Sequence, residues 1–156
     1  MTRLGIVGYG GRIHGMVTGP FRQVDPDLRV VAVVDPDESR VRERLADCDD
    51  DVVFYESIGA MMRATDLDAV AVGTRCNLHA GIAAELAAFD RPLFLEKPVG
   101  ITSAECRSLL RASGKSYRIL MIGHELRYSP YFRKIKELIE DGAVGTPLMT
   151  WCKEFR

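Results

Sequence analysis

The chain has 156 residues, a length that suits one domain, and its 47% hydrophobic and 28% charged residues exclude a mostly disordered protein. Its 21 lysines and arginines against 22 aspartates and glutamates give a net charge of −1, so no electrostatic reason exists to expect nucleic acid or an anionic membrane as a partner. There is no apolar run long enough for a membrane span, no signal-peptide pattern and no Cys-x-x-Cys pair, and we therefore expect a cytoplasmic protein.

Short apolar runs alternate with helix-like segments along the chain. Six runs predict strands, at residues 4–7, 28–34, 52–55, 69–72, 93–95 and 119–122. Continuous apolar runs are typical of strands buried on both faces of a parallel sheet. Helical spacing occurs at residues 37–47, 57–64 and 78–86, after a capping box at Thr102 and Glu105, and after the pair Ser129-Pro130. This alternation predicts a doubly wound parallel α/β sheet with helices on both faces, in three layers.

A glycine-rich segment follows the first strand and begins a helix; it reads Gly8-Tyr9-Gly10-Gly11-Arg12-Ile13. Glycines at such a turn let backbone N–H groups approach a pyrophosphate, and the helix N-terminus favours its negative charge. Gly8 and Gly10 match the first two places of the dinucleotide fingerprint Gly-x-Gly-x-x-Gly. Ile13 occupies the third place, where glycine normally allows close packing of helix on strand, so we expect the helix to lie further out. The alternative is a plain strand-to-helix turn.

Asp35 stands at the end of the second strand. A carboxylate there can accept both hydroxyls of an adenosine ribose and would repel a 2′-phosphate, which favours NAD over NADP. Arg40 is only five residues from Asp35, and a nearby arginine could accommodate the 2′-phosphate of NADP. The alternative is that Asp35 caps the helix that begins near Asp37.

The triplet Glu96-Lys97-Pro98 follows the fifth strand. Residues at the carboxyl ends of parallel strands face the crevice in which α/β proteins bind ligands. Lys97 could donate a proton or a hydrogen bond to a substrate oxygen during hydride transfer. The alternative is an ordinary surface ion pair in a loop.

Taken together, these residues resemble the glucose–fructose oxidoreductase, inositol dehydrogenase and rhizopine-catabolism (Gfo/Idh/MocA) family. The resemblance rests on the glycine loop with Asp35, on Glu96-Lys97-Pro98, and on Gly123-His-Glu-Leu-Arg127-Tyr-Ser-Pro130 followed by a helix and Gly142-Ala-Val-Gly-Thr-Pro147. It covers essentially the whole chain and corresponds to the N-terminal, dinucleotide-binding part of a family member. It implies an NAD(P)-binding Rossmann domain at residues 1–123, and a connecting helix with the truncated start of an α/β substrate domain at 124–156.

The resemblance also implies roles for individual residues. Lys97 would be the catalytic residue near nicotinamide and substrate, Glu96 would help to hold both Lys97 and the cofactor, and Arg127 would lie near the nicotinamide. The peptide before Pro98 is often cis in relatives, which agrees with the small cis penalty of X–Pro bonds. The full set expected at the cofactor is Gly8, Tyr9, Gly10, Gly11, Arg12, Ile13, Asp35, Thr74, Arg75, His79, Glu96, Lys97 and Arg127.

The chain departs from the family pattern after its fourth strand. Arg75 and Cys76 replace the proline and asparagine that relatives often have between Thr74 and His79. We expect Cys76 to be a small buried residue, with a reactive thiolate at the helix N-terminus as the alternative. We expect His79 to begin a helix and to pack near the Lys97 loop. The three histidines lack metal-ligand spacing with a carboxylate, so we expect no metal.

The function implied by the resemblance is an NAD(P)-dependent oxidoreductase that passes a hydride between nicotinamide and the carbinol or carbonyl carbon of a sugar or polyol. Two alternatives use the same fold, namely a non-catalytic dinucleotide-binding regulator and an NAD-dependent glycoside hydrolase. A new strand pattern with Trp151 begins after Pro147 and lacks partners, so we expect a truncated chain whose tail is poorly packed or is covered by a neighbouring chain. Such a chain would bind dinucleotide without useful turnover, and the intact protein would be a homo-oligomer through the missing domain.

Overall fold

The computed structural model describes residues 1–46, 48, 50–116 and 119–153. The chain divides into two compact units, Met1–Gly123 and His124–Arg156. The assignment of the first part as a dinucleotide-binding domain at residues 1–123 is taken up with the site below. The identity of the second part as the start of a substrate domain stays a prediction.

The first unit is built on six parallel strands, as the apolar runs predicted. They are β1 (Arg3–Val7), β2 (Arg29–Val34), β3 (Val53–Phe54), β4 (Ala69–Val72), β5 (Leu93–Leu95) and β6 (Leu120–Ile122). Their order in the sheet is β3-β2-β1-β4-β5-β6. The strand order therefore reverses between β1 and β4, which is the position where doubly wound folds bind ligands.

Helices connect successive strands. They are α1 (Gly11–Met16), α2 (Arg22–Val24), α3 (Glu38–Leu45), α4 (Ile58–Ala64), α5 (His79–Leu86) and α6 (Ser103–Ser116). Between α1 and α2 the backbone leaves helical geometry at Gly19, with φ −107° and ψ −106°, directly before Pro20. Proline cannot donate a helical hydrogen bond, and the kink follows from that. Residue 47, where the helix before β3 was predicted to end, lies outside the described residues.

Side chains cap the beginnings of α3 and α6. Asp37 accepts a hydrogen bond from the Arg40 N–H at the start of α3. At α6 the capping box forms in both directions, because Thr102 Oγ1 accepts from the Glu105 N–H and Glu105 Oε2 accepts from the Thr102 N–H. Glu105 Oε2 also accepts from the Ile101 N–H, and these backbone hydrogen bonds, Ile101 first, lower the pKa of the Glu105 carboxyl.

Two buried clusters lie on opposite faces of the sheet. Adjacent β1 residues Ile6 and Val7 belong to different clusters, as expected for a strand buried on both faces. α1 and α3 pack on the Ile6 face, and α4, α5 and α6 pack on the Val7 face. The three-layer α/β/α architecture is therefore confirmed. β3 is shorter than predicted because only Val53 and Phe54 pair with β2.

The second unit contains a short 3-10 turn (Glu125–Tyr128) and α7 (Pro130–Glu140). Ser129 precedes α7 with Pro130 in its first turn, and Gly142 follows the helix at φ +72°. Trp151 is 84% exposed. No helix among the described residues is long and apolar enough to cross a membrane.

Candidate functional site

Four loops meet at the carboxyl ends of the central strands. Gly8 follows β1, Asp35 follows β2, Thr74 follows β4 and Glu96 follows β5. A cleft of about 320 Å³ opens beside the first three of them. Its lining residues are Gly8, Gly10, Asp35, Pro36, Arg40, Gly73, Thr74, Arg75 and Leu78. The cleft therefore lies at the switch point of the sheet.

The glycine loop passes very close to the loop after β4. Gly8 has φ +80°, and a Cβ on it would lie 2.6 Å from Thr74 Cγ2 and 2.8 Å from Thr74 N. No side chain fits there, so glycine is required both by conformation and by space. Gly10 is the N-cap of α1 and supplies no capping side chain, which leaves room for an anion before the first turn.

Ile13, at the third fingerprint place, is completely buried. A Cβ on Gly73 would lie 1.9 Å from Ile13 Cγ1 and 2.8 Å from its Cδ1. Ile13 thus fills the space that a side chain at Gly73 would otherwise take. The small residue needed for close packing stands on the strand side of the contact instead of the helix side, and only the backbone of Ile13 is available to a cofactor.

Asp35 joins the glycine loop to the end of β2. Its Oδ2 accepts a hydrogen bond from the Tyr9 N–H at 2.8 Å, and its Oδ1 accepts from the Asp37 N–H at 2.9 Å. Arg40 Nη2 lies 3.6 Å from Oδ1. Asp37, not Asp35, is the N-cap of α3, so the alternative interpretation of Asp35 as a helix cap is wrong. The carboxylate holds the loop in place and borders the cleft.

The Tyr9 side chain is completely buried beneath the loop. Burial, followed by the nearby Cys48 and Asp50, raises the pKa of the Tyr9 phenol, which therefore stays neutral. The Tyr9 carbonyl accepts a hydrogen bond from Arg44 Nη1 at 2.9 Å. Like Ile13, Tyr9 can meet a cofactor only through its backbone. Nothing in the sequence pattern signalled the role of Arg44, since it comes from a helix distant in the chain.

Lys97 is exposed in the loop after β5, and the Lys97–Pro98 peptide is cis. Glu96 before it is buried and accepts two hydrogen bonds, from the Lys97 N–H at 3.2 Å and from Arg12 Nε at 3.1 Å. Because Arg12 belongs to α1, Glu96 connects the start of that helix to the Lys97 loop. A buried carboxylate is stabilised by such partners.

His79 lies beneath the loops that follow β4 and β5 and is only 1% exposed. Its Nδ1 is 2.6 Å from the Pro98 carbonyl oxygen, and its Nε2 is 3.1 Å from the Thr74 carbonyl oxygen. Both ring nitrogens are therefore engaged by the protein. Arg75 and Cys76 beside it are exposed, so the expectation that Cys76 is buried is wrong.

Two further expectations fall outside this cleft. Arg127 is exposed in the 3-10 turn of the second unit, and its place near a nicotinamide stays a prediction. Across residues 1–46, 48, 50–116 and 119–153, no group of three His, Cys, Asp or Glu side chains could hold a metal ion.

The part of the chain that contains this cleft is similar to known proteins. Residues 2–124 match the profile of GFO_IDH_MocA, an oxidoreductase family with an NAD-binding Rossmann fold. The chain is 30% identical to inositol 2-dehydrogenase 1 of Saccharopolyspora erythraea and to rhizopine catabolism protein MocA of Rhizobium meliloti, in each case over 96% of this chain. It spans 44% and 46% of the lengths of these two relatives.

Solved structures agree on the fold. A structure of myo-inositol dehydrogenase from Lactobacillus casei in complex with NAD(H) and myo-inositol superposes with a TM-score of 0.83 at 24% identity, over 95% of this chain and 44% of that one. A putative myo-inositol dehydrogenase from Sinorhizobium meliloti gives 0.73 at 28% identity, over 93% and 43%. The chain thus corresponds in length to somewhat less than half of these proteins.

Proposed function

Because the chain belongs to the GFO_IDH_MocA oxidoreductase family, whose fold binds NAD, we propose that it is the dinucleotide-binding part of a dehydrogenase acting on a sugar or polyol. The observation that supports this most directly is that the glycine loop and Asp35 meet at the cleft, and that Arg12 of α1 donates a hydrogen bond to Glu96 of the Lys97 loop. The relatives named as inositol dehydrogenases point to a polyol substrate with a CH–OH group.

The residues present suit a dinucleotide. Gly8 lets the loop pass against Thr74, where no Cβ would fit, and the Cβ position of Gly10 meets nothing nearer than the Gly73 carbonyl oxygen at 3.6 Å, so the space in front of α1 suits the pyrophosphate. Gly11 and Arg12 begin α1 next to this cleft, and their contacts with a cofactor, like those of the Tyr9 and Ile13 backbone, are part of the proposal. Thr74 and Arg75 form the opposite wall of the cleft.

Asp35 supports a preference for NAD over NADP. Its two oxygens accept one backbone N–H each, and a carboxylate offers about four lone-pair sites, so acceptor capacity is left for ribose hydroxyls. A 2′-phosphate in the same place would meet the negative charge of Asp35. Arg40 offsets part of that repulsion, since it lies 3.6 Å from the carboxylate.

Lys97 is the proposed catalytic residue. Bound nicotinamide supplies the hydride acceptor or donor. Lys97 is exposed in the loop after β5, and we propose that it moves a proton to or from the substrate oxygen as the carbinol and carbonyl forms interconvert. Glu96 orients it by accepting its backbone N–H. A lysine held in this position favours an enzyme over a non-catalytic regulator.

Calorimetric titration with NADH and NADPH tests the cofactor assignment. We expect NADH to bind more tightly, and Asp35→Asn to reduce that preference by roughly 1–3 kcal/mol, because one charged acceptor of ribose hydroxyls becomes a neutral amide. Asp27→Ala is the control, since Asp27 is exposed and distant from the cleft lining. Equal or tighter binding of NADPH by the unaltered protein would overturn the role of Asp35.

Activity is tested with a panel of inositols and hexoses, followed at the NADH absorbance. We expect no useful turnover from this chain alone, because positioning the substrate within about 3–3.5 Å of the nicotinamide carbon supplies roughly 7–11 kcal/mol, and we propose that the remaining length of the relatives carries those contacts. In a protein of the relatives' full length that contains this chain, Lys97→Ala should lower kcat by about 10²–10⁴-fold, and Lys134→Ala should not. Undiminished activity of Lys97→Ala would refute the role of Lys97.

We also propose that the full-length protein is a homo-oligomer.

A further inference from the structure

His79 connects two loops of the site from beneath. One loop, after β4, carries Thr74, which lines the cleft, and the other, after β5, carries Lys97 and Pro98. His79 is the first residue of α5 and is 1% exposed, so neither water nor a cofactor reaches its ring. Its two nitrogens meet the carbonyl oxygens of Pro98 and Thr74 at 2.6 and 3.1 Å.

The two partners determine the proton count of the ring. A carbonyl oxygen can only accept, so each ring nitrogen must donate if both contacts are hydrogen bonds. A neutral imidazole has one N–H, and its second nitrogen would then direct a lone pair at a carbonyl oxygen. Such a buried, mismatched contact costs free energy. Burial and the N-terminus of α5 both disfavour a cation, and the two carbonyl oxygens oppose this as acceptors of charge-assisted hydrogen bonds.

The position of Pro98 makes this contact relevant to Lys97. The Lys97 N–H is held on one side by Glu96, and the carbonyl of the next residue is held on the other side by His79. The Lys97–Pro98 backbone is thus held at two points, one on each residue, and the Thr74 loop is held by the same ring. A lysine on a backbone held in this way is confined before any ligand arrives.

We propose that His79 is a positioning residue for Lys97, and that it acts as a doubly protonated imidazole joining the Pro98 and Thr74 carbonyls. This inference rests on the proposed function for the importance of Lys97, but not for the state of the ring. It assigns to His79 a role beneath the site in place of direct contact with the cofactor.

The protonation state is measured by ¹⁵N NMR of the unaltered chain with labelled histidine. The chain has three histidines, and His14→Gln and His124→Gln identify the other two sets of signals. We expect a directly bonded proton on both ring nitrogens of His79, at the pH at which dinucleotide binding is measured. A signal typical of an unprotonated nitrogen for His79 would overturn the proposal, without any use of variants.

Two conservative variants separate the two contacts. Asparagine places its amide near the position of Nδ1 and glutamine near that of Nε2, so His79→Asn keeps the Pro98 bond and His79→Gln keeps the Thr74 bond. The readouts are hydrogen exchange of the Lys97 amide, which donates to Glu96, and of the Leu78 amide, which donates to the Arg75 carbonyl in the Thr74 loop. We expect about tenfold faster exchange of Lys97 in His79→Gln and of Leu78 in His79→Asn, the ratio that corresponds to about one hydrogen bond.

Controls separate this role from simple filling of space. The Ala71 amide in β4 should keep its protection in both variants, and His124→Gln should change neither loop. Equal effects of the two variants on Lys97 and Leu78 would show that His79 only fills space, and would overturn the proposal. If a variant loses protection throughout, the ring-nitrogen measurement on the unaltered chain decides. Failure of that chain to bind NADH would refute the proposed function while leaving the state of His79 to its own measurement.

Discussion

Gly73→Ala should destabilise the first unit by overpacking the contact with Ile13. The added Cβ would lie 1.9 Å from Ile13 Cγ1 and 3.1 Å from the Gly8 carbonyl oxygen. Inserting a methyl group into a packed core costs about 1–3 kcal/mol, and we expect a value at the upper end because the clashing isoleucine is completely buried.

A double-mutant cycle identifies the cause. Ile13→Ala alone removes the clashing atoms and leaves a cavity, at a cost of about 2–5 kcal/mol. In the double variant the methyl group added by Gly73→Ala lies in the space that the isoleucine vacated. Its free energy of unfolding should therefore fall by about 1–3 kcal/mol less than the sum of the two single changes.

Urea unfolding followed by far-UV circular dichroism measures these values. Gly15→Ala is the matched control, because nothing lies within 4 Å of the added Cβ in α1, and it should stabilise by about 0.5–1 kcal/mol. Additive effects of Gly73→Ala and Ile13→Ala would refute the conclusion that the Ile13 side chain occupies the space that a side chain at residue 73 would need.

Two further predictions concern charged residues. Glu105→Gln should lower the melting temperature at neutral pH and make it fall less steeply in acid, because folding lowers the pKa of Glu105 and the stability this carboxylate adds is lost as the pH falls through its folded-state pKa. The control variant Glu85→Gln should change neither, and identical plots of melting temperature against pH for the two variants would contradict this. Asp50→Ala should lower the free energy of unfolding in urea by about 3–5 kcal/mol, because it leaves its largely buried partner Arg22 without a counter-charge. Asp66→Ala, which breaks an exposed ion pair, should lower it by only about 0–1 kcal/mol, and similar losses for both variants would show that burial does not set the cost.

The sheet and the edge that carries the site follow from the sequence, because short apolar runs separated by helical segments specify a parallel α/β fold. Asp35 and Lys97 were placed at strand ends by counting alone, and the structure brings both loops to that edge. The capping box of Thr102 and Glu105 was also predicted correctly, because it is a local sequence pattern. These successes share one cause, namely that the interactions lie within a few residues of each other or repeat with a fixed period.

The contacts that the sequence did not reveal are long-range. Ile13 was expected to hold its helix away from the sheet, but the room for it comes from Gly73, which is distant in the chain. Arg12 and Glu96 form a hydrogen bond across a similarly long separation, and no local pattern indicates it. Cys76 was assigned to the core from the usual burial of cysteine, but the turn before α5 exposes it. Such contacts depend on how loops meet after folding.

The position of β1 in the centre of the sheet has a consequence for synthesis of the chain. β1 pairs with β2 on one side and with β4 on the other, and β4 begins about 60 residues after β1 ends. At about 5–20 residues per second, a ribosome needs roughly 3–12 s to supply that partner. During this interval one edge of a mostly apolar strand has no neighbour, and unpaired edges of this kind recruit other chains. Cellular yield should therefore depend on how quickly residues 8–72 are translated.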